Sequence, residues 1–134
     1  MVKHAFLSLL ICLVTAWTAV AQDNDPDVLK FDALQGVEMM DKIGASAVVE
    51  GTVQQVTQGK TGKATFINFA SYSKDSKDFH LVVFDKTTKG NPHGWSEFLK
   101  NLSGKTIRVS GTLEEFKGRP QIVIQSMEQI EVVE

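Results

Sequence analysis

The side chains that could carry chemistry in this chain are few, and their spacing argues against catalysis. Asp75, Asp78 and Asp85 cluster around residues 79–84, and the whole sequence holds two arginines, Arg108 and Arg119. Cleaving a phosphodiester asks acidic residues to hold a metal and arginines to meet the transferring phosphate. No acid-rich motif frames these three aspartates, so they read as solvated loop carboxylates. His80 and His93 do not have the spacing of a metal pair, and the one cysteine, Cys12, lies in an apolar N-terminal run. Residues 58–63, Q-G-K-T-G-K, look superficially like a phosphate cradle but lack its full spacing and open no helix. Asn101-Leu102-Ser103 fits a glycosylation acceptor, yet it falls at the end of an expected helix and is read as chance. The expectation is a protein that is not an enzyme, with no metal and no cofactor.

The N-terminus explains where that cysteine goes. Met1-Val2-Lys3-His4 gives a short basic start, residues 5–14 are apolar, and Ala19-Val20-Ala21 supplies small residues at an A-x-A site. That combination reads as a signal peptide over residues 1–21, cut before Gln22, and places the protein outside the cytoplasm, secreted or periplasmic. The mature chain, residues 22–134, then has no thiol and no disulfide, although its compartment would permit one. It is long enough for one domain with a real core and too short for two. Its charge is unevenly spread. Residues 22–50 hold two lysines against seven acids, residues 51–127 hold eleven Lys/Arg against six, and Glu128, Glu131 and Glu134 close an acidic tail. An overall net charge of −2 at pH 7 makes no demand for a polyanion, but the basic centre is where one would bind.

The elements that must position these residues are mostly strands. In residues 104–124 Ile107, Val109, Gly111 and Leu113 share one parity and Thr106, Arg108, Ser110 and Thr112 the other, the period-two signature of a half-buried strand. Lys117-Gly118-Arg119-Pro120 supplies turn residues, and Gln121-Ile122-Val123-Ile124 restarts the strand pattern, which predicts a hairpin. Gly111, and Gly51 in A-V-V-E-G-T-V, fall on the apolar parity, where an absent side chain signals a bend, a bulge or a close backbone approach. Residues 45–56, 64–69 and 79–84 supply three earlier strands. Residues 22–44 are read as a flexible lead-in followed by a short helix, on the spacing of Val37, Met40 and Ile43 before Gly44, with Val37, Met39 and Met40 as core. Asn91-Pro92 opens a second helix in which Trp95, Phe98, Leu99 and Leu102 share a face, with Trp95 and Phe98 plugging a barrel. A helix falling between the third and fourth of five strands is the order of the OB-fold, a partly open Greek-key barrel, here over residues 45–134.

The phrases V-V-E-G-T-V, F-I-N-F, F-H-L-V-V-F, G-K-T-I-R-V-S-G-T-L-E-E-F-K-G-R-P-Q-I-V-I and Q-I-E-V resemble those of small secreted bacterial proteins described as OB-fold nucleic-acid-binding domains. The resemblance implies a binding surface across the second and third strands, flanked by the loops joining strands one to two and four to five. Those loops contribute Lys60 and Lys63, and Lys117 and Arg119, with no acid among residues 57–63 or 116–121. Single-strand binders pair such a basic groove with rings on which bases stack; the candidates are Phe66, Tyr72, His80 and Phe116. Asn68 shares the parity of Phe66 and is expected to face outward with it. The expected ligand is single-stranded DNA or RNA, bound weakly and in a salt-sensitive way. The alternative is an exported protein or a glycan, since OB-folds bind both through the same surface.

Overall fold

The computed structural model describes residues 27–70, 77–89 and 94–134. The signal-peptide reading, Tyr72, His93 and the Asn91-Pro92 helix start lie outside these residues. No helix among the described residues is long and apolar enough to cross a membrane.

The protein is mainly β. Its described strands are β1 (Leu29–Asp32), β2 (Ser46–Thr52), β3 (Gln55–Gln58), β4 (Ala64–Asn68), β5 (His80–Phe84), β6 (Thr106–Thr112), β7 (Glu114–Phe116), β8 (Arg119–Val123) and β9 (Ile130–Val132). Among the described residues there are also three short helices, α1 (Gly36–Met40), α2 (Asp85–Lys89) and α3 (Trp95–Lys100), and a 3-10 turn (Met127–Gln129). The strands form two mixed sheets, one ordered β1-β2-β6-β9 and the other β3-β4-β5-β8-β7. Both face one core, to which Val49, Ile107 and Val109 come from the first sheet and Ile67, Leu81 and Ile122 from the second.

The five strands expected from the sequence become seven because two of them divide. Residues 45–56 break at Val53-Gln54: the Val53 amide donates to the Lys105 carbonyl, whereas the Gln54 amide donates to Asn68. The chain thereby leaves its partner β6 for its partner β4 and passes from one sheet into the other. Residues 104–116 do the same at Leu113, whose amide donates to Ala45 before β7 pairs with β8. At the first handover side-chain parity reverses, the buried Val53 being followed by Val56 on the core; at the second it runs on, so that Phe116 faces away from the core like Thr112.

Two departures concern the N-terminal part. Leu29 and Lys30, expected in a flexible lead-in, belong to β1, which runs parallel to β2 with Phe31 opposite Val49. Helix α1 turns a different face inward from the one its spacing suggests. Gly36 and Met39 are buried, while Val37 is 68 % exposed. A Cβ on Gly36 would sit 2.2 Å from the Lys77 carbonyl oxygen, so only the glycine face can lie against that backbone. The α3 expectation matches better: Trp95, Leu99 and Leu102 are almost wholly buried, and Phe98 stacks on Trp95 with ring centroids 5.8 Å apart.

Gly51 and Gly111 are both close approaches. An added Cβ would lie 2.5 Å from Ala33 Cβ at the first and 2.5 Å from Ile122 Cγ2 at the second. Gly111 thus lets β6 of one sheet lie directly against β8 of the other.

Candidate functional site

The outer face of the β3-β4-β5-β8-β7 sheet carries a groove of about 670 Å³. Its floor follows from strand register. On β4, Ile67 enters the core, so Phe66 and Asn68 stand on the opposite face, as the parity argument expects. Asn68 pairs with Gln55 of β3 on one side and with His80 of β5 on the other, and His80 pairs with Gln121 of β8. An amide, an amide, an imidazole and an amide therefore cross four adjacent strands in one row. Thr57, opposite Phe66, adds a hydroxyl to the groove wall.

The far wall is the β7–β8 hairpin. Its loop is the two residues Lys117 and Gly118, with φ of 53° and 80°, while Arg119 and Pro120, expected in the turn, begin β8. Positive φ at both loop residues is the turn that matches the right-handed twist of the flanking strands. Lys117 adopts a backbone conformation that costs a non-glycine residue roughly 1 kcal/mol. Its Nζ lies 5.3 Å from the centroid of the Phe116 ring, and that ring is 48 % exposed. Arg119 lines the groove from the next position, its Nε donating to the Asp78 carbonyl at 3.0 Å.

Six of the nine residues singled out by sequence line this groove together: Phe66, Asn68, His80, Phe116, Lys117 and Arg119. Lys60 and Lys63 are exposed in the β3–β4 loop and do not line it. The Lys63 carbonyl instead receives the Asp85 amide at the start of α2, which ties that end of the loop to the helix side of the sheet. Gln55 and Thr57 line it without having been expected. Continuing the parity of Val49, Gly51 and Val53 would send both inward; the break at Val53-Gln54 reverses it, so that Val56 packs on the core and they face out.

His80 changes role. Expected as an open ring for stacking, it is only 2 % exposed, with Phe66 leaning on it at 5.8 Å and a tilt of 58°. β5 is the central strand of its sheet, covered on the outer face by side chains from β4 and β8. The imidazole Nε2 is 3.0 Å from Gln121 Oε1. Because an amide oxygen only accepts, Nε2 carries the proton. Burial first, and then the Arg119 cation, lowers its pKa from 6.5 to about 4, against the opposing hydrogen bonds of Gln121 and the Asp78 carbonyl. It is neutral at pH 7 and adds nothing to the positive charge of the groove. Arg108, the other arginine, stands on the opposite sheet, where it bridges Glu50 at 3.2 Å and Glu131 at 3.1 Å.

The groove thus has two cations, two partly exposed rings, neutral polar groups and no acid among its lining residues. Among the described residues no cluster of three or more His, Cys, Asp or Glu could hold a metal ion.

No protein-family model matches the chain, and no curated protein matches it. Among solved structures the chain is similar to an OBody bound to hen egg-white lysozyme, with 17 % identity and a TM-score of 0.47 over 70 % of this chain and 83 % of that one.

Proposed function

We propose that the protein is an exported, non-enzymatic OB-type binding domain whose groove takes single-stranded nucleic acid. The observation that carries this reading is the groove lining: Phe66 and Phe116 as stacking surfaces beside Lys117 and Arg119, without an opposing carboxylate. The barrel architecture is supported by strand connectivity. Pairing runs β3-β4-β5-β8-β7, β7 continues back into β6 and β3 into β2, and β2 pairs with β6, so that the chain of neighbours returns to its start.

Two groove cations set the strength of the interaction. Neutralising about two phosphates gives a slope of log affinity against log salt of roughly −1.4 for single strands, or about a sevenfold loss between 50 and 200 mM salt. Fluorescence anisotropy of residues 22–134 with labelled single-stranded oligonucleotides tests this. Lys117→Ala with Arg119→Ala should abolish the salt-sensitive binding, and Lys60→Ala with Lys63→Ala should largely retain it. Absence of binding at low salt overturns the reading. The buried neutral row of Asn68, His80 and Gln121 favours a second reading, a glycan or protein ligand, whose binding would persist at high salt and in the Lys117/Arg119 variant.

A further inference from the structure

The floor of the groove contains one polar atom with nothing to bond. His80 Nε2 donates to Gln121 Oε1, so Nδ1 holds a lone pair, and that atom is buried without a hydrogen-bond partner. The Asp78 carbonyl beside it accepts from Arg119 Nε and, being an acceptor, can bond Nδ1 only when that nitrogen carries a proton, which the neutral ring with its proton on Nε2 does not offer. The atom has almost no accessible surface in the free groove, so it is reached only when the Phe66 ring that leans on the imidazole turns aside. An acceptor buried in this way is costly, and a ligand that supplies the missing donor recovers that cost on binding. The imidazole lies under Phe66 and next to Asn68, its cross-strand neighbour, whose amide can donate as well as accept.

We infer that His80 Nδ1 reads the ligand: it accepts a hydrogen bond from the exocyclic amino group of a base, adenine or cytosine, whose adjacent ring nitrogen accepts from Asn68. The inference rests on the nucleic-acid reading of the groove. The base enters as the Phe66 ring turns, stacks on that ring, and lays its pairing edge on the floor. Lys117 and Arg119 hold phosphate and contribute no base selectivity, because phosphate contacts carry no sequence information. His80 is then a specificity residue, and the groove tells bases apart by the donors on their edges.

The test compares an oligomer of adenine with one of purine, the same ring system without the amino group. A site that loses one hydrogen bond to a buried acceptor discriminates by roughly five- to tenfold. Wild-type protein should bind the adenine oligomer more tightly by that factor, with the same salt slope for both. His80→Phe should bind both equally. A long-range proton–nitrogen NMR spectrum reads the wild-type imidazole directly, free of any folding defect in the variant. Nε2 should be protonated and Nδ1 bare in the free protein, with the Nδ1 resonance moving to its hydrogen-bonded position when the adenine oligomer is added. Equal binding of the two oligomers, or a free protein with the proton on Nδ1, overturns this inference and leaves the nucleic-acid reading standing. If neither oligomer binds at low salt, both fall.

Discussion

At the scale of the single residue, His80 shows how a side chain's type can be legible while its state is not. Alternation with Leu81 and Val83 puts it on the outer face of its strand, where it stands, but nothing in the local sequence says that Phe66, Arg119 and Gln121 will cover it. The covering has a consequence for stability. The folded pKa, about 4, lies below the unfolded value of 6.5, so the unfolded chain binds the proton more readily. Stability from this source is therefore complete above about pH 6.5 and is lost as pH falls toward 4. The slope approaches 1.4 kcal/mol per pH unit and the total reaches about 3 kcal/mol. Urea midpoints measured between pH 7.5 and 4 should fall more steeply for the wild type than for His80→Gln. Parallel curves would show that the imidazole is not held neutral. Phe66 and Asn68 were readable to a greater degree, because one parity rule over five residues fixes both once Ile67 is assigned to the core.

At the scale of the element, the two inward glycines mark where one strand must pass directly against another part of the chain. Gly111→Ala would place a methyl 2.5 Å from Ile122 Cγ2, with Gln129 Nε2 at 3.2 Å, and neither β6 nor β8 can retreat without disturbing its own ladder. Overpacking of this kind costs about 1–3 kcal/mol. Thermal or chemical denaturation should show that loss. Adding Ile122→Ala should destabilise less than the sum of the two single changes, since neighbouring sites couple. Additive losses would mean that the two sheets do not meet there. The sequence signalled a special backbone at Gly51 and Gly111 through their position on the apolar parity. It did not signal the handovers at Val53-Gln54 and Leu113, because a break in register leaves the composition of the strand unchanged. For the same reason Gln55 and Thr57 went unrecognised as groove residues. Helix α1 was misread in its facing, since five residues carry too little periodicity to outweigh one glycine packed on the Lys77 backbone.

At the scale of the whole molecule, both sheets share a single core, and Trp95 is its largest fully buried side chain. Trp95→Ala should cost about 3–5 kcal/mol by the cavity it leaves. Trp95→Phe should cost distinctly less, because the indole Nε1 has no hydrogen-bond partner to lose. Circular dichroism during denaturation should show one transition in each variant; equal losses for the two would place the value of Trp95 in its N–H and not in its volume. Charge is distributed at this scale too. The arginine most central to a strand, Arg108, is taken up by Glu50 and Glu131 on the face away from the groove, which leaves Lys117 and Arg119 as the cations beside the rings.

The sequence by itself determined the strand-rich class of the fold, the inward residues of most strands, the burial of the α3 face and the placement of Phe66 and Asn68 on one surface. All of these follow from alternation or helical spacing within a few consecutive residues. Only the tertiary structure decided which of four loop cations reach the groove, that β3 reverses parity, and that His80 is buried with one nitrogen bonded and the other bare. Those outcomes depend on which strands become neighbours, and neighbours such as His80 and Gln121, 41 residues apart, are chosen by packing of the whole core.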